Sequence, residues 1–507
     1  MGTLKQASTL FRYMSCMDRA ESAQHGRAPF DWLPKLLAVL FVMALSVMIG
    51  WTGFLASDDS LYYAGADQWM SDPPFAGDNH WTTRFPLLWS FAAMLGLFGR
   101  GFTAFAATAL LWYGVLVALV GLFAVRIGGV RTGWIAALIA ATLPVIVTNA
   151  TTVGVDLLET ALLLGGAWLL GESKGEAEGE AGAERAALGH GLMAGMCFGT
   201  AIICRETSLL ALVAMGPLFL IGRPVARSVL LAAGVGLALV LGAEVLFQWA
   251  LTGDPLRRYA IAFNHDSHID RAANHEGNFL LHPAIDPVLV LFINDDFGLL
   301  FWVAGVAAMV GMRLGFGVVR SRPLLVLAAM ALASFVLVAV LTEKLVLNPR
   351  YFMLPAIMAV VVASLWLSTL ASSWRWLIVA GILTVNLLML SVGNAHPRWE
   401  MESLIEASRT HPDEVISGDP VMVRRAKLPM HFAGRANIRY APASAGGLVV
   451  APIGQAPAGE IVARYPSPPT RLGGLIEGLG LRDRVPGILH RRMFAPNETM
   501  VLVRTPE

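Results

Sequence analysis

Charge is the scarcest commodity in this 507-residue chain: Asp, Glu, Lys and Arg together make up 14% of it, where soluble globular proteins carry about 25%. An ordinary cytosolic enzyme is thereby excluded. The charges present nearly cancel, with 37 Lys+Arg against 36 Asp+Glu. There is accordingly no basic field for a nucleic acid, and lipids or sugars are the expected partners. Cysteine is rarer still. Cys16, Cys197 and Cys204 are the only three, too few for a disulfide scaffold or a thiolate metal cage. The last two fall on one face of an apolar helix and read as small packing residues. No repeat or heptad recurs, no Gly-rich phosphate loop follows a strand, and no Asp-x-Asp occurs.

What the chain has in abundance is apolar length, with 56% hydrophobic residues and a mean hydropathy of +0.62. A bilayer core of about 30 Å takes about 20 residues of helix. Runs of that kind lie near 36–56, 103–125, 133–149, 152–171, 188–203, 206–222, 228–251, 297–315, 323–343, 351–370 and 374–394. The sequence therefore predicts an α-helical polytopic membrane protein with about eleven transmembrane helices. A 35-residue polar leader precedes the first run and no small-residue cleavage pattern follows it, so that run is expected to remain as an anchor.

The segment Phe85–Gly99 is apolar but short, and is expected to lie at the membrane interface rather than cross. With that choice Lys5, Arg12, Arg19, Arg27, Lys35, Arg126, Arg131, Arg223, Arg227, Arg313, Arg320, Arg322 and Arg375 share one side, which the positive-inside rule makes the cytoplasm. Residues 1–35 then form a cytoplasmic segment and 36–394 the membrane domain, with external loops at 57–102 and 252–296. Residues 395–507 form an extracytoplasmic C-terminal domain, whose β-like pieces Gly447–Ile453 and Thr499–Val503 among Pro and Gly predict a small α/β fold. The acidic stretch 172–187 reads as a solvated cytoplasmic spacer.

Chemistry-bearing residues gather in the first external loop. Asp58 and Asp59 follow the first apolar run directly, and from Ser60 onward Tyr62, Tyr63, Ala66, Trp69 and Met70 recur at helical spacing. The two acids thus begin an amphipathic helix. Capping and the helix dipole favour Asp at such a position, while a carboxylate beside the membrane surface also suits proton transfer.

The stretch Asp58-Asp59-Ser60-Leu61-Tyr62, with the later His80-Trp81-Thr82-Thr83-Arg84-Phe85-Pro86-Leu87-Leu88-Trp89, resembles the first extracytoplasmic loop of the GT-C polytopic glycosyltransferases. The nearest pattern is the family-39-like group that includes protein O-mannosyltransferases and the lipid A aminoarabinose transferase. Members open this loop with Asp-acidic-x-x-Tyr and close it with basic-x-Pro-Leu-Leu-aromatic, and both ends match. The resemblance runs through roughly the first 225 residues by motif and to residue 394 by the pattern of apolar runs.

The resemblance implies a catalytic role for Asp58 with Asp59 beside it, Tyr62 in the same site, and Arg84 as a contact for the donor phosphate. Asp156, near the outer end of the fourth run, matches a recurrent acidic residue of the same cavity; read from the residues alone it is equally a partner for Arg205 or an interfacial carboxylate. Arg205 lies between two runs where the family commonly places a basic phosphate contact, and a local Arg205–Glu206 cap competes with that role. Arg350-Tyr351, in Asn348-Pro349-Arg350-Tyr351-Phe352-Met353-Leu354-Pro355, is similar to a further family segment. It supplies either a second phosphate contact or an interfacial anchor.

The chain departs from the aminoarabinose-transferase-like members in one place: Thr83, not Glu, precedes Arg84, so a metal ligand assumed there is missing. The loop 252–296 offers His265, Asp266, His268, Asp270, His275, Glu276, His282 and Asp286, donors that suit a metal. They lack a firm spacing signature, which leaves a solvated or substrate-contacting role open beside it. A divalent metal ion is the one cofactor left open, with His265 and His268 as candidate ligands.

The resemblance implies inverting transfer of a sugar from a polyprenyl-phosphate donor to an acceptor hydroxyl on a glycolipid, glycan or protein at the outer face; the short loops and absent processing signals fit a bacterial inner membrane, with an endoplasmic-reticulum membrane as the alternative. Asp58 is the expected general base. The missing nucleotide-binding signature also favours a lipid-linked donor. Two other classes compete, a transporter or flippase of a lipid-linked glycan and a non-catalytic scaffold; transporters usually carry internal repeats, which this sequence does not show.

Overall fold

The computed structural model describes residues 32–55, 58–172, 181–264, 281–282, 285–314, 321–341, 347–393, 398–440 and 445–507. The polar leader before residue 32 lies outside them. Each apolar run of the sequence forms helix: Leu33–Ile49, Phe102–Gly128, Val130–Thr142 with Pro144–Ala150, Asp156–Glu172, Ala181–Cys204, Ser208–Leu212 with Met215–Ile221, Arg227–Thr252, Leu300–Leu314, Arg322–Val340, Met353–Thr369 and Ser372–Gly393. Length separates them. Among the described residues, six helices are long and apolar enough to cross a membrane, or up to seven if the bent pair Val130–Thr142 and Pro144–Ala150 forms one span. The expected count of eleven is therefore not confirmed. Leu33–Ile49, Ser208–Ile221 and Leu300–Gly311 are shorter apolar segments, and the 17 residues of Asp156–Glu172 reach about 26 Å against a core of about 30 Å.

The bend of 61° at the broken pair has a local cause. Pro144 has no N–H to give to the preceding turn and holds Leu143 extended, at φ −62° and ψ 119°. Neighbouring segments bond the polar groups around the break. Tyr113 Oη donates to Ala141 O, Val145 N donates to Asp296 O at 2.9 Å, and Asn386 Nδ2 donates to Thr142 Oγ1 at 3.0 Å.

Small residues set the crossing of Ala181–Cys204 with Arg227–Thr252. Gly191, Gly195 and Gly199 recur along one face, where a Cβ on Gly195 would stand 1.9 Å from Ala233 O and one on Gly236 2.1 Å from Leu192 O. Only glycine lets the two backbones approach so closely. Ala181–Cys204 also begins inside the stretch expected to be a spacer, which leaves the acidic remainder, 173–180, outside the described residues.

After residue 398 the chain forms an α/β layer. The helices Trp399–Thr410 and Pro420–Phe432 accompany a sheet of order β2-β1-β3-β5-β4, made of β1 (Ile416–Ser417), β2 (Ile438–Arg439), β3 (Leu448–Pro452), β4 (Glu460–Tyr465) and β5 (Met500–Arg504). β1 is parallel to β2 and β3, and β5 is antiparallel to β3 and β4. The two β-like pieces expected from the sequence are β3 and β5. Asp419 starts the Pro420–Phe432 helix by accepting from Val421 N at 2.8 Å.

This layer sits on one end of the bundle. Met401, Leu404, Leu448 and Leu502 share a core with Phe54, Tyr63, Phe91 and Phe105, and Phe432 meets Tyr63 edge-on at 5.5 Å. The opposite end carries Arg126 paired with Glu172, and Arg375 near Arg131.

Candidate functional site

The site is built at the end of the bundle covered by the C-terminal layer, and begins with a tight turn. Leu33–Ile49 stops at Gly50, and the chain reaches Asp58 through Gly53 at φ 76° and Leu55 at φ 74°. A left-handed leucine is costly. Asp59 supports it: its Oδ2 accepts from Leu55 N at 2.9 Å, and the residue is fully buried within electrostatic reach of Arg398. Asp58 behaves differently. It occupies the N-cap position of the Asp59–Ser71 helix without a capping bond from its side chain, and is half-buried.

The end of the loop brings Arg84 back to the same place. Asn79 Oδ1 accepts from Trp81 N at 3.0 Å and Thr82 N at 3.1 Å, while Thr82 Oγ1 accepts from Asp78 N at 3.0 Å. Such side-chain-to-backbone bonds fold a short loop without regular structure. They set His80 and Arg84 side by side. Arg84 is 9% exposed, donates through Nη1 to Tyr62 Oη, and donates through Nη2 to His80 Nε2. Burial pushes the Tyr62 phenol up to about 12, with Asp58 and Asp156 adding to the shift and Arg84 and Arg350 opposing it. Tyr62 is thus neutral at physiological pH, and is where the two ends of the loop meet the rest of the site.

The other wall comes from chain segments far away in sequence. Asp156 opens the Asp156–Glu172 helix and accepts from Arg205 Nη1. Glu159 lies 3.8 Å from the same nitrogen and accepts from Ser208 Oγ at 2.6 Å. The Arg205 guanidinium stacks 4.3 Å from the Tyr351 ring centre. Asn348 Oδ1 accepts from Arg350 N at 3.1 Å, starting the short turn Pro349–Phe352 that presents Arg350 and Tyr351. A cleft is lined by Glu159, Arg205, Ser208, Ser334, Arg350 and Tyr351, among others.

Asp58, Tyr62, Arg84, Asp156, Arg205, Arg350 and Tyr351 are thereby brought together, while Asp59 turns back toward Leu55. Of the alternatives open for Asp156 and Arg205, the structure has them paired with each other; Glu206 bonds instead to Arg258, at 2.6 Å. Charge accounting then divides the arginines. Arg205 is matched by two carboxylates and Arg258 by one, whereas Arg84 and Arg350 form no ion pair among the described residues.

The sequence reading does not point to Glu159 or Arg258. Both left a signal: Glu159 is a second carboxylate one helical turn after Asp156 in an apolar run, and Arg258 belongs to the basic pair Arg257-Arg258 in an external loop.

The described residues do not fit a metal ion. Thr83 Oγ1 donates to His80 O at 3.1 Å, Asp156 and Glu159 are engaged by Arg205 and Ser208, and no group of three or more His, Cys, Asp or Glu comes together among the described residues. His265 and His268 lie outside them, as do Asp266, Asp270, His275 and Glu276. Asp286 accepts from Leu281 N at 2.8 Å and His282 N at 3.0 Å.

No protein-family model matches the sequence, and no curated protein does. Solved structures do match. ArnT from Cupriavidus metallidurans in the apo state aligns at TM-score 0.55 and 15% identity, over 83% of this chain and 92% of its own. The same ArnT bound to undecaprenyl phosphate aligns at TM-score 0.52 and 17% identity, over 80% of this chain and 75% of its own. The oligosaccharyltransferase AglB from Archaeoglobus fulgidus, in complex with an inhibitory peptide and a dolichol-phosphate, aligns at TM-score 0.50 and 12% identity, over 80% and 64%. At these identities the likeness is one of fold: this chain shares the fold of the ArnT and AglB structures.

Proposed function

We propose that the protein is a membrane glycosyltransferase that moves a sugar from a polyprenyl-phosphate donor to an acceptor hydroxyl. The observation that carries this reading is the pair of arginines without carboxylate partners among the described residues, Arg84 and Arg350, grouped with Asp58 around Tyr62. The Arg84 guanidinium is buried and its side-chain bonds go to a phenol and an imidazole, so it is poorly compensated and favours an anion. A lipid-linked sugar phosphate brings one.

The chemistry follows from the placement. As the bond between the anomeric carbon and the phosphate oxygen breaks, negative charge grows on the departing lipid phosphate, where Arg84 and Arg350 stabilise it. Asp58, half-buried and not spent on capping, takes the proton from the acceptor hydroxyl as that oxygen attacks the anomeric carbon from the opposite side. Configuration inverts. Tyr62 orients Arg84, while Asp156 and Glu159 fix Arg205 and, through its stacking, Tyr351. Arg205 therefore shapes the cleft more than it neutralises phosphate. No step is assigned to a metal ion.

The structures of ArnT with undecaprenyl phosphate and AglB with dolichol-phosphate support a lipid-linked donor for a chain of this fold. Arg126, Arg131 and Arg375 at the far end of the bundle support an outer-facing site, in a bacterial inner membrane, with the C-terminal domain on the same outer side. The test uses purified protein, synthetic polyprenyl-phosphate sugars and membrane extracts as acceptors. Transfer is expected with the wild type and lost in Asp58→Asn with the fold intact. Unchanged turnover in that variant overturns Asp58 as the base, and movement of the intact lipid-linked sugar across vesicles without transfer overturns the enzymatic reading.

A further inference from the structure

A second ionic group lies beside Arg84. Arg258, on the helix Arg257–Asn264, is fully buried, and its Nη2 donates to Ile202 O at 2.8 Å, Ile203 O at 3.1 Å and Glu206 Oε1 at 2.6 Å. The two carbonyls belong to the last turn of Ala181–Cys204. The carboxylate belongs to the residue after Arg205. Glu206 is also within electrostatic reach of Arg84, so one carboxylate held by Arg258 lies in the field of a second guanidinium. Facing Arg258 from Arg227–Thr252 is Glu244, 5% exposed and within electrostatic reach of it, and the Tyr259 ring centre stands 5.4 Å from the Arg258 Cζ.

The contrast between the two arginines follows from this sharing. Arg84 bonds to a phenol and an imidazole, although a carboxylate lies close by. A carboxylate released from Arg258 would find Arg84 within reach, and an Arg84–Glu206 pair would compensate the charge that an incoming phosphate meets.

We propose that Arg258 is a positioning residue: by holding Glu206 it keeps Arg84 without a carboxylate partner and ready for the lipid-linked phosphate. The inference rests on the glycosyltransferase reading above and adds a reason for a fully buried arginine outside the cleft. Simple capping of Ile202 and Ile203 makes a different prediction, because a lost cap is not repaired by changing Glu206.

The experiment measures undecaprenyl phosphate binding to purified full-length protein, by tryptophan fluorescence, for the wild type, Arg258→Gln, Glu206→Gln, the double variant, Arg258→Lys and Arg84→Ala. Arg258→Gln is expected to raise Kd by about tenfold or more, and the double variant to return within about threefold of the wild type. Glu206→Gln alone binds at least as tightly as the wild type, and Arg258→Lys keeps most of the affinity. In turnover the loss falls on KM for the donor, with kcat little changed. Wild-type affinity in Arg258→Gln, or a double variant as weak as Arg258→Gln, overturns the proposal. Should Arg258→Gln fail to fold, weakened binding by Glu206→Gln overturns it independently. A wild type that does not bind undecaprenyl phosphate, or binds it without dependence on Arg84, defeats the glycosyltransferase reading itself and takes this inference with it; that result is distinct from Arg84-dependent binding without rescue.

Discussion

A carboxylate that holds a turn needs buried amides around it, and one that takes a proton needs access to its substrate. In the proposed mechanism Asp59 and Asp58 divide along that line. Replacing Asp59 by Ala removes the acceptor for Leu55 N at a residue with φ 74°, and a buried donor left without its partner costs about 1–3 kcal/mol. The thermal midpoint of Asp59→Ala is therefore expected to fall clearly, while that of Asp58→Asn stays with the wild type. Adjacency in the sequence could not make this distinction, because it depends on the backbone of Leu55, which no residue pattern predicts. A pH dependence belongs at the same scale. Burial, helped by Asp295, pushes the Asp296 carboxyl up to about 6, against about 3.9 in an unfolded chain. The folded protein binds this proton more tightly, so the stabilisation is complete below about pH 4 and disappears as the pH rises through 6. Thermal unfolding across that window should show a decline in the wild type that is reduced in Asp296→Asn; identical slopes would count against the assignment.

At the scale of elements, the crossing of Ala181–Cys204 with Arg227–Thr252 offers the sharpest contrast. Gly195 has no room for a side chain, whereas nothing lies within 4 Å of a Cβ at Gly189 on the same helix. Gly195→Leu is expected to abolish a monodisperse peak in size-exclusion chromatography, and Gly189→Leu to leave it intact. Each apolar run became helix, since length and composition alone favour helix in a bilayer, but Asp286–Ile293, inside the loop expected at 252–296, was not among them. Their lengths were less legible. Pro144 broke one run by removing a backbone donor, and the run near 206–222 divided into Ser208–Leu212 and Met215–Ile221. The loop bearing Arg84 depends on Asn79 and Thr82 accepting backbone amides, a folding device that hydropathy does not register. Asn79→Ala should loosen that loop and weaken donor binding while leaving the bundle's melting temperature within a few degrees, as a change in the donor KM would report.

For the whole molecule, the site is an assembly of stretches separated by up to nearly three hundred residues, held in place where the C-terminal layer meets the bundle. Phe432 packs against Tyr63 and Phe102, and Arg398 donates to Phe54 O at 3.1 Å beside the turn that carries Asp58. The motifs of the first loop, Asp156, Arg205 and Arg350-Tyr351 could be found because the resemblance marked them as parts of one cavity. Glu159 and Arg258 were not, since each needed a partner brought from another segment before its role was visible. The division of the arginines, two matched by carboxylates and two not among the described residues, exists only in the folded molecule. Undecaprenyl phosphate binding by purified wild type, Arg84→Ala, Arg350→Ala and Asp58→Asn tests it most directly. Each arginine variant is expected to lose about tenfold or more in affinity, while Asp58→Asn binds like the wild type and fails only in transfer; wild-type affinity in both Arg84→Ala and Arg350→Ala would refute the division.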